Sequence, residues 1–273
     1  MLNALRFTLA AGVAAACVGS AGAADLARPA PMPYVAPVAV GPSWTGFYLG
    51  FNGGWGWSNY NVSEAPFGVT GIADILPQAL GTSNDGAVFG GQIGYNWQIA
   101  SWVLGIEADW DGANISSTNA TVFPSILGGP GTTHTNSFTT NEKIGELASI
   151  RGRLGYVWGP AMLYFTGGGA WENVTTNATI SANTAGGNFG QSANASFSTT
   201  RSGFVLGAGV EWMATPSWLI RAEYLHYDFS GANTNTLGIA NCAVPGCGVN
   251  VTTASNNVDV FRMGASYKLD WFR

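Results

Sequence analysis

Few residues in this chain could do acid–base or nucleophilic chemistry. It has two histidines, His134 and His226. A Ser–His hydrolase or acyltransferase needs a hydroxyl within hydrogen-bond reach of the imidazole. Tyr227 and Asp228 follow His226, no Ser stands at short spacing, and no G-x-S-x-G occurs. An isolated histidine on a strand is better read as amphipathic packing, so no catalytic residue is assigned and no enzyme is expected. Cys242 and Cys247, spaced C-A-V-P-G-C, match neither a CxxC redox site nor a metal site with further ligands nearby. In an exported chain they form a local disulfide, worth about 2 kcal/mol on the chain-entropy model. No metal or cofactor is expected. Seven N-x-S/T sequons (Asn61, Asn114, Asn119, Asn173, Asn177, Asn194 and Asn250) are what Asn/Ser/Thr-rich segments produce by chance.

The remaining candidates are charged: Glu107, Asp109, Arg151, Arg153, Glu211, Arg221, Glu223 and Arg262. Four carboxylates balanced by four guanidiniums suit an ion-selecting constriction or a self-neutralised buried plug. Which of these they make depends on the elements that carry them.

Charged residues make up only 9% of 273 positions, against about 25% in soluble domains. There are 39 glycines and 11 tryptophans, and 47% of residues are hydrophobic. So uncharged a surface argues against a typical cytosolic enzyme, the net charge of −5 against nucleic-acid binding, and the hydrophobic content against disorder. Beyond the first 24 residues no apolar run approaches the ~18 residues of a membrane helix.

From Trp44 onward, period-two alternation recurs eight times, over 44–57, 85–97, 102–112, 144–158, 162–173, 200–212, 218–229 and 257–269. Each segment is long enough for the ~9–11 residues of a tilted membrane strand. Three connections are short (98–101, 159–161 and 213–217). The four that alternate with them (58–84, 113–143, 174–199 and 230–256) exceed the ~12–15 residues beyond which structureless loops are uncommon. Strict alternation of long and short loops is the pattern of an outer-membrane barrel. The fold class expected is all-β: an eight-stranded antiparallel up-and-down transmembrane β-barrel with four long extracellular loops and three short periplasmic turns.

One face of each strand is large and aromatic, the other mostly Gly, Asn, Gln and Ser with the charges above. Turning the large face outward leaves no charge in the middle of a lipid-facing stripe, where Lys or Arg would cost ~2–4 kcal/mol. Glu146, Asp228 and Asp259 share that phase near the long-loop ends. The tryptophans are expected in two interfacial girdles. Trp44, Trp97, Trp102, Trp158, Trp212, Trp218 and Trp271 fall at short-turn or terminal strand ends, and Trp55, Trp57, Trp110 and Trp171 near long-loop ends. Eight strands leave room only for side chains inside, which favours the plug, with Glu107–Arg153 and Glu223–Arg262 as pairs. Inward Gly50, Gly94, Gly105, Gly168, Gly207 and Gly264 would leave room for the arginines.

Residues 1–23 have the pattern of a secretory signal peptide: Arg6, an apolar stretch, then Ala21-Gly22-Ala23 with cleavage between Ala23 and Ala24. A lipoprotein reading of Cys17 lacks the usual branched aliphatic three residues earlier. Residues 24–43 carry Pro29, Pro31, Pro33, Pro37 and Pro42, as an extended periplasmic linker or a disordered N-terminus would. The barrel occupies 44–273.

Several motifs resemble the small outer-membrane β-barrel proteins of alphaproteobacteria, the opacity-like surface antigens called porin family proteins. They are Trp44-Thr45-Gly46-Phe47-Tyr48-Leu49-Gly50-Phe51-Asn52-Gly53-Gly54, Gly105-Ile106-Glu107-Ala108-Asp109, Leu163-Tyr164-Phe165-Thr166-Gly167-Gly168, Gly207-Ala208-Gly209-Val210-Glu211 and Arg221-Ala222-Glu223-Tyr224. The resemblance spans residues 44–269 and implies roles in envelope integrity and surface interaction. The last strand resembles an insertion signal for the barrel-assembly machinery in Arg262, Gly264 and Tyr267. Leu269 stands in place of a terminal aromatic, and Asp270-Trp271-Phe272-Arg273 follows. The partners implied are outer-membrane lipid including lipopolysaccharide, with periplasmic chaperones and the assembly machinery during biogenesis. The loops carry no recognisable binding motif. A narrow porin-like channel is the alternative, and a lipid-modifying enzyme acting through His226 a third reading. A folded barrel predicts heat-modifiable gel migration; a chain that stays soluble without detergent would contradict a membrane fold.

Overall fold

The computed structural model describes residues 43–67, 79–125, 134–183, 191–231, 233–238 and 248–269. They form nine strands: β1 (Gly46–Phe67), β2 (Ala79–Ile99), β3 (Trp102–Ser125), β4 (His134–Trp158), β5 (Ala161–Asn183), β6 (Gln191–Met213), β7 (Trp218–Phe229), β8 (Asn233–Gly238) and β9 (Gly248–Leu269). Successive strands β1 to β7 pair antiparallel, β7 pairs with β9, and β9 closes on β1. This is the eight-stranded ring expected from the alternation. β8 prolongs the line of β7 and pairs with the outer part of β9.

The ladder fixes the width of the ring. From Phe47 the register runs through Tyr95, Ile106, Gly152, Gly167, Leu206, His226 and Asp259, and returns to β1 at Trp57. The return lies ten residues further along β1 (47 to 57). Eight strands with that stagger, at ~4.8 Å between strands and ~3.3 Å per residue, tilt about 41° and enclose a radius of about 8 Å. Such a lumen is as wide as the side chains that fill it.

Alternation sorts the faces as expected. Phe51, Phe89, Ile106, Ile150, Phe165 and Leu206 are exposed on the outside, where lipid takes the place of water. Trp110, Ala148 and Trp171 occupy one register row, and the ring of Trp102 lies edge-on to that of Tyr156 at 5.2 Å. Nine of the eleven tryptophans stand outward. Trp44 does not. It is 1% exposed and packs inside the short-turn mouth with Val103, Met162, Tyr164, Met213 and Leu219. Its backbone N–H donates to Oε1 of Gln98 at 2.8 Å, and Nζ of Lys268 donates to the carbonyl of Ser43. Parity explains the exception, because Trp44 shares the inward phase of Tyr48. Trp271 lies outside the described residues.

The long connections differ from the sequence expectation. Most of the residues assigned to loops continue the strands: β1 runs to Phe67, β3 to Ser125, and β4 begins at His134. Outside lipid a strand no longer needs one apolar face, so the period-two signal fades while the ladder persists. Pairing of β2 with β3 ends at Asp85–Ser116, and that of β6 with β7 at Gly203–Phe229. Beyond these points the outer segments form two four-stranded sheets, β8-β9-β1-β2 and β3-β4-β5-β6. Phe138, Ala178 and Ile180 of one sheet meet Val251 of the other. A register shift between Ile144 and Glu146 lets Ile144 and Leu147 both face inward.

Replacing Trp44 with Ala is expected to cost about 3–5 kcal/mol, read from urea unfolding of the bilayer-embedded barrel. Trp158→Ala, at a side chain 86% exposed, is expected to cost less.

Candidate functional site: the charged lumen

All eight sequence-predicted lumen residues are buried inside the ring. Glu107 of β3 and Arg151 of β4 are opposite each other in the ladder, as are Glu223 of β7 and Arg262 of β9, and opposed charges in such positions attract. Arg151 places Nη2 at 2.6 Å from Oε1 of Glu107 and 2.9 Å from Oδ2 of Asp109, and Nη1 at 3.3 Å from Glu223 across the lumen. Arg262 donates from Nε to Glu223 at 2.7 Å, and from Nη1 to Asp109 at 3.3 Å and to Asp111.

The expected Glu107–Arg153 and Glu223–Arg262 pairs both appear, at 3.5 and 2.7 Å. Each belongs to a larger set. Arg153 also pairs with Glu211, lies 4.0 Å from the ring centre of Tyr164, and donates to the Tyr48 hydroxyl at 2.7 Å. Glu211 and Arg221 oppose one another in the ladder, but Arg221 reaches Glu107 at 2.6 Å and Ser266 at 3.0 Å. Glu107 therefore accepts from three arginines and from the Tyr48 hydroxyl at 2.6 Å. Glu223 accepts from Arg151, Arg262 and the Tyr164 hydroxyl. Ser149 donates to Asp109 at 2.6 Å. Asn52 donates to Gln92, which donates to Ser266 at 3.1 Å. Every strand of the ring contributes a side chain to this layer.

Glycines make the room, for more than the arginines. The Tyr48 hydroxyl stands 2.3 Å from where a Cβ on Gly94 would be, and the Tyr164 hydroxyl 2.5 Å from that of Gly209. Gly168 lies against Arg151, and Gly264 beside Arg221. Gly50 faces Ser266 and Gln92, Gly105 faces Asn96, and Gly207 faces Leu225 and Thr166.

Apolar clusters flank the charged layer on both sides. Towards the short turns stands the Trp44 cluster. Towards the outside Val88, Ile115, Leu147, Val205, Leu225, Tyr227, Phe229 and Val260 fill the lumen. Glu172, opposite Leu147 in the ladder, pairs with Arg201 at 3.4 Å within this layer, and further out Glu142 accepts from Thr176 at 3.1 Å. The side chains of the four network arginines and of Glu107, Asp109, Glu211 and Glu223 are 0–1% exposed. Among the described residues no group of His, Cys, Asp and Glu could hold a metal ion.

His226 stands apart, in the outward phase, with Nδ1 2.6 Å from Oδ1 of Asp259. The Tyr224 hydroxyl donates to the same oxygen at 2.6 Å. Asp259 pairs with Trp57 in the ladder, so this set sits at the outer girdle and not in the lumen. His134 opens β4 opposite Ser125. Tyr267 is exposed outward, Gly264 lies in β9, and Leu269 ends that strand opposite Phe47. Ala23, Ala24, Cys242 and Cys247 lie outside the described residues.

The sequence matches the family model for the outer membrane protein beta-barrel domain over residues 11–241. This chain belongs to that outer-membrane β-barrel family. The 31 kDa outer-membrane immunogenic protein of Brucella melitensis is 31% identical over 235 residues, covering 84% of this chain and 89% of the relative. The 22 kDa outer membrane protein of Rhizobium leguminosarum is 31% identical over 198 residues, covering 71% and 68%. Among solved structures, the Ail attachment invasion locus protein of Yersinia pestis is 12% identical with a TM-score of 0.31, covering 82% of this chain and 99% of that one. Neisserial surface protein A is 13% identical with a TM-score of 0.33, covering 82% and 98%.

Sequence reasoning about this outer-membrane barrel omitted Asp111, Glu172, Arg201, Tyr48 and Tyr164 from the lumen set. Their parity was already inward. Asp111, Glu172 and Arg201 lay near expected strand ends, and the tyrosines carry no charge, so neither group stood out. With Asp111 the layer holds one carboxylate more than it has arginines. Arg262→Met would leave Glu223, Asp109 and Asp111 short of a buried partner. It is expected to cost about 3–5 kcal/mol in urea unfolding, whereas Lys143→Met, at an exposed site, should cost under about 0.5 kcal/mol.

Proposed function

We propose that this outer-membrane barrel is a closed structural element of the envelope that carries a surface contact platform, and that it neither conducts solutes nor catalyses a reaction. One observation carries the reading: the lumen charges are buried at 0–1% side-chain exposure, each arginine in contact with at least one carboxylate. An ion-selecting constriction needs charges that a passing ion can reach; here they reach one another. Apolar layers above and below exclude water from both ends of the network. What the barrel offers to the outside is the pair of raised sheets, rich in Ser, Thr and Asn on their outer faces. Relatives named outer-membrane immunogenic proteins in Brucella support a role at the exposed surface.

The imidazole of His226 hydrogen-bonds a carboxylate that also holds a phenol, and the set lies at the lipid interface beside Trp57. That arrangement anchors strands β7 and β9 to each other at the outer girdle. Recording from the refolded full-length protein in planar bilayers tests the closed lumen. An electrically silent barrel is expected. A stable open conductance that disappears on Arg153→Ala would overturn the reading in favour of a narrow channel.

A further inference from the structure

The ring closes where β9 meets β1, and three residues ahead of β1 lie across that seam at the short-turn end. Pairing of β1 starts at Gly46 with Asn96 of β2, and at Phe47 with Leu269 of β9. Ser43, Trp44 and Thr45 leave the ladder there. The chain turns at Gly46, whose φ of +139° lies in a region that side chains rarely adopt. The turn lays Trp44 into the lumen mouth, and the strap is tied on both sides. On the β2 side the Trp44 N–H donates to Oε1 of Gln98 at 2.8 Å, and the Gln98 N–H donates to Oγ1 of Thr45 at 2.9 Å. On the β9 side Lys268 donates to the Ser43 carbonyl across the seam.

The socket that receives Trp44 comes from distant parts of the chain. Val103 belongs to β3, Met162 and Tyr164 to β5, Met213 to the end of β6 and Leu219 to the start of β7. In the ring β5 stands opposite β1, four strands away in either direction. A flat, unclosed sheet would hold the two strands about 19 Å apart, at ~4.8 Å per strand. The Trp44 site therefore comes into being with the closed ring and not before it. Unzipping runs the other way. At this end β1 cannot part from β9 until Lys268 releases Ser43 and Trp44 leaves the mouth.

We infer that Ser43–Thr45 is a glycine-hinged latch that shuts after β1 has joined β9 and sets how long the closed ring lasts. The strap takes no part in the ladder, so it adds nothing to the closure step and opposes only its reversal. Interactions absent from the folding transition state slow unfolding and leave the folding rate unchanged. Three residues outside the sheet thus give the barrel kinetic stability, the kind measured as a lifetime. This holds whether or not the lumen conducts.

The measurement follows the folded gel band of the full-length protein in phosphatidylcholine vesicles, over time after transfer into urea and out of it. Trp44→Ala is expected to unfold at least about a hundredfold faster than the unaltered chain, and to fold within about twofold of its rate. Gly46→Ala leaves every socket side chain in place. There is space for its Cβ, since the nearest atom, the Leu269 carbonyl oxygen, lies at 3.6 Å. Its backbone strain alone should speed unfolding about tenfold. With Trp44 already removed, adding Gly46→Ala should speed unfolding by less than about twofold, because both changes act through one latch. A failure of either variant to fold would overturn the proposal. So would a Trp44→Ala chain whose folding slows in proportion to its lost stability, since Trp44 would then belong to the closure step. Unaltered unfolding of Gly46→Ala, or effects that multiply in the double variant, would overturn it too.

Discussion

A sheet in hydrocarbon cannot have an edge, because an unpaired N–H or C=O there costs several kcal/mol with no water to offset it. The pairing of β1 with β9 meets that constraint, and much of the architecture follows from the way it is met. Closure after eight strands with a ten-residue stagger sets the radius at about 8 Å. That radius admits side chains and little else. Inward positions must then be filled by groups that satisfy one another.

The filling has an order. Four arginines cannot be buried in so narrow a lumen unless each finds carboxylates at hydrogen-bonding distance, since a lone buried charge is far too costly. Glu107 and Glu223 each gather arginines from several strands, and the Tyr48 and Tyr164 hydroxyls donate to Glu107 and Glu223 respectively. An aromatic cluster around Trp44 and an aliphatic layer around Leu147 and Val205 flank these bonds on either side. The result is a cross-braced interior in which each strand is tied to others across the barrel as well as to its ladder neighbours.

Beyond the membrane the constraint lifts, and the ring comes apart. Water can satisfy an edge, so the ladders between β2 and β3 and between β6 and β7 end where the lipid-facing aromatics end, leaving two sheets that touch through a small apolar contact. The same physics that forbids an edge in lipid permits one outside.

Much of this could be read from the chain. Alternation in segments such as 85–97 and 102–112 located the strands and their lipid faces, because each side chain there meets either lipid or lumen, two environments with opposite demands. Short turns alternating with long connections implied a closed up-and-down barrel, and parity put Glu107, Arg151, Glu223 and Arg262 inside. Tertiary structure alone decided the rest. The stagger comes from how β9 meets β1, which no local pattern records, and it is the stagger that brings Arg221 to Glu107 and Arg151 to Glu223 across the lumen. The outer strand extensions were hidden for a related reason: with water on both sides, Thr, Asn and Ser serve either face, and a strand loses the contrast that betrays it in sequence. Trp44 was misplaced because its type suggests an interface, while its neighbours in space, Met162 and Leu219, claim it for the interior. Sequence specified which side chains face inward; only the closed ring determined which of them meet.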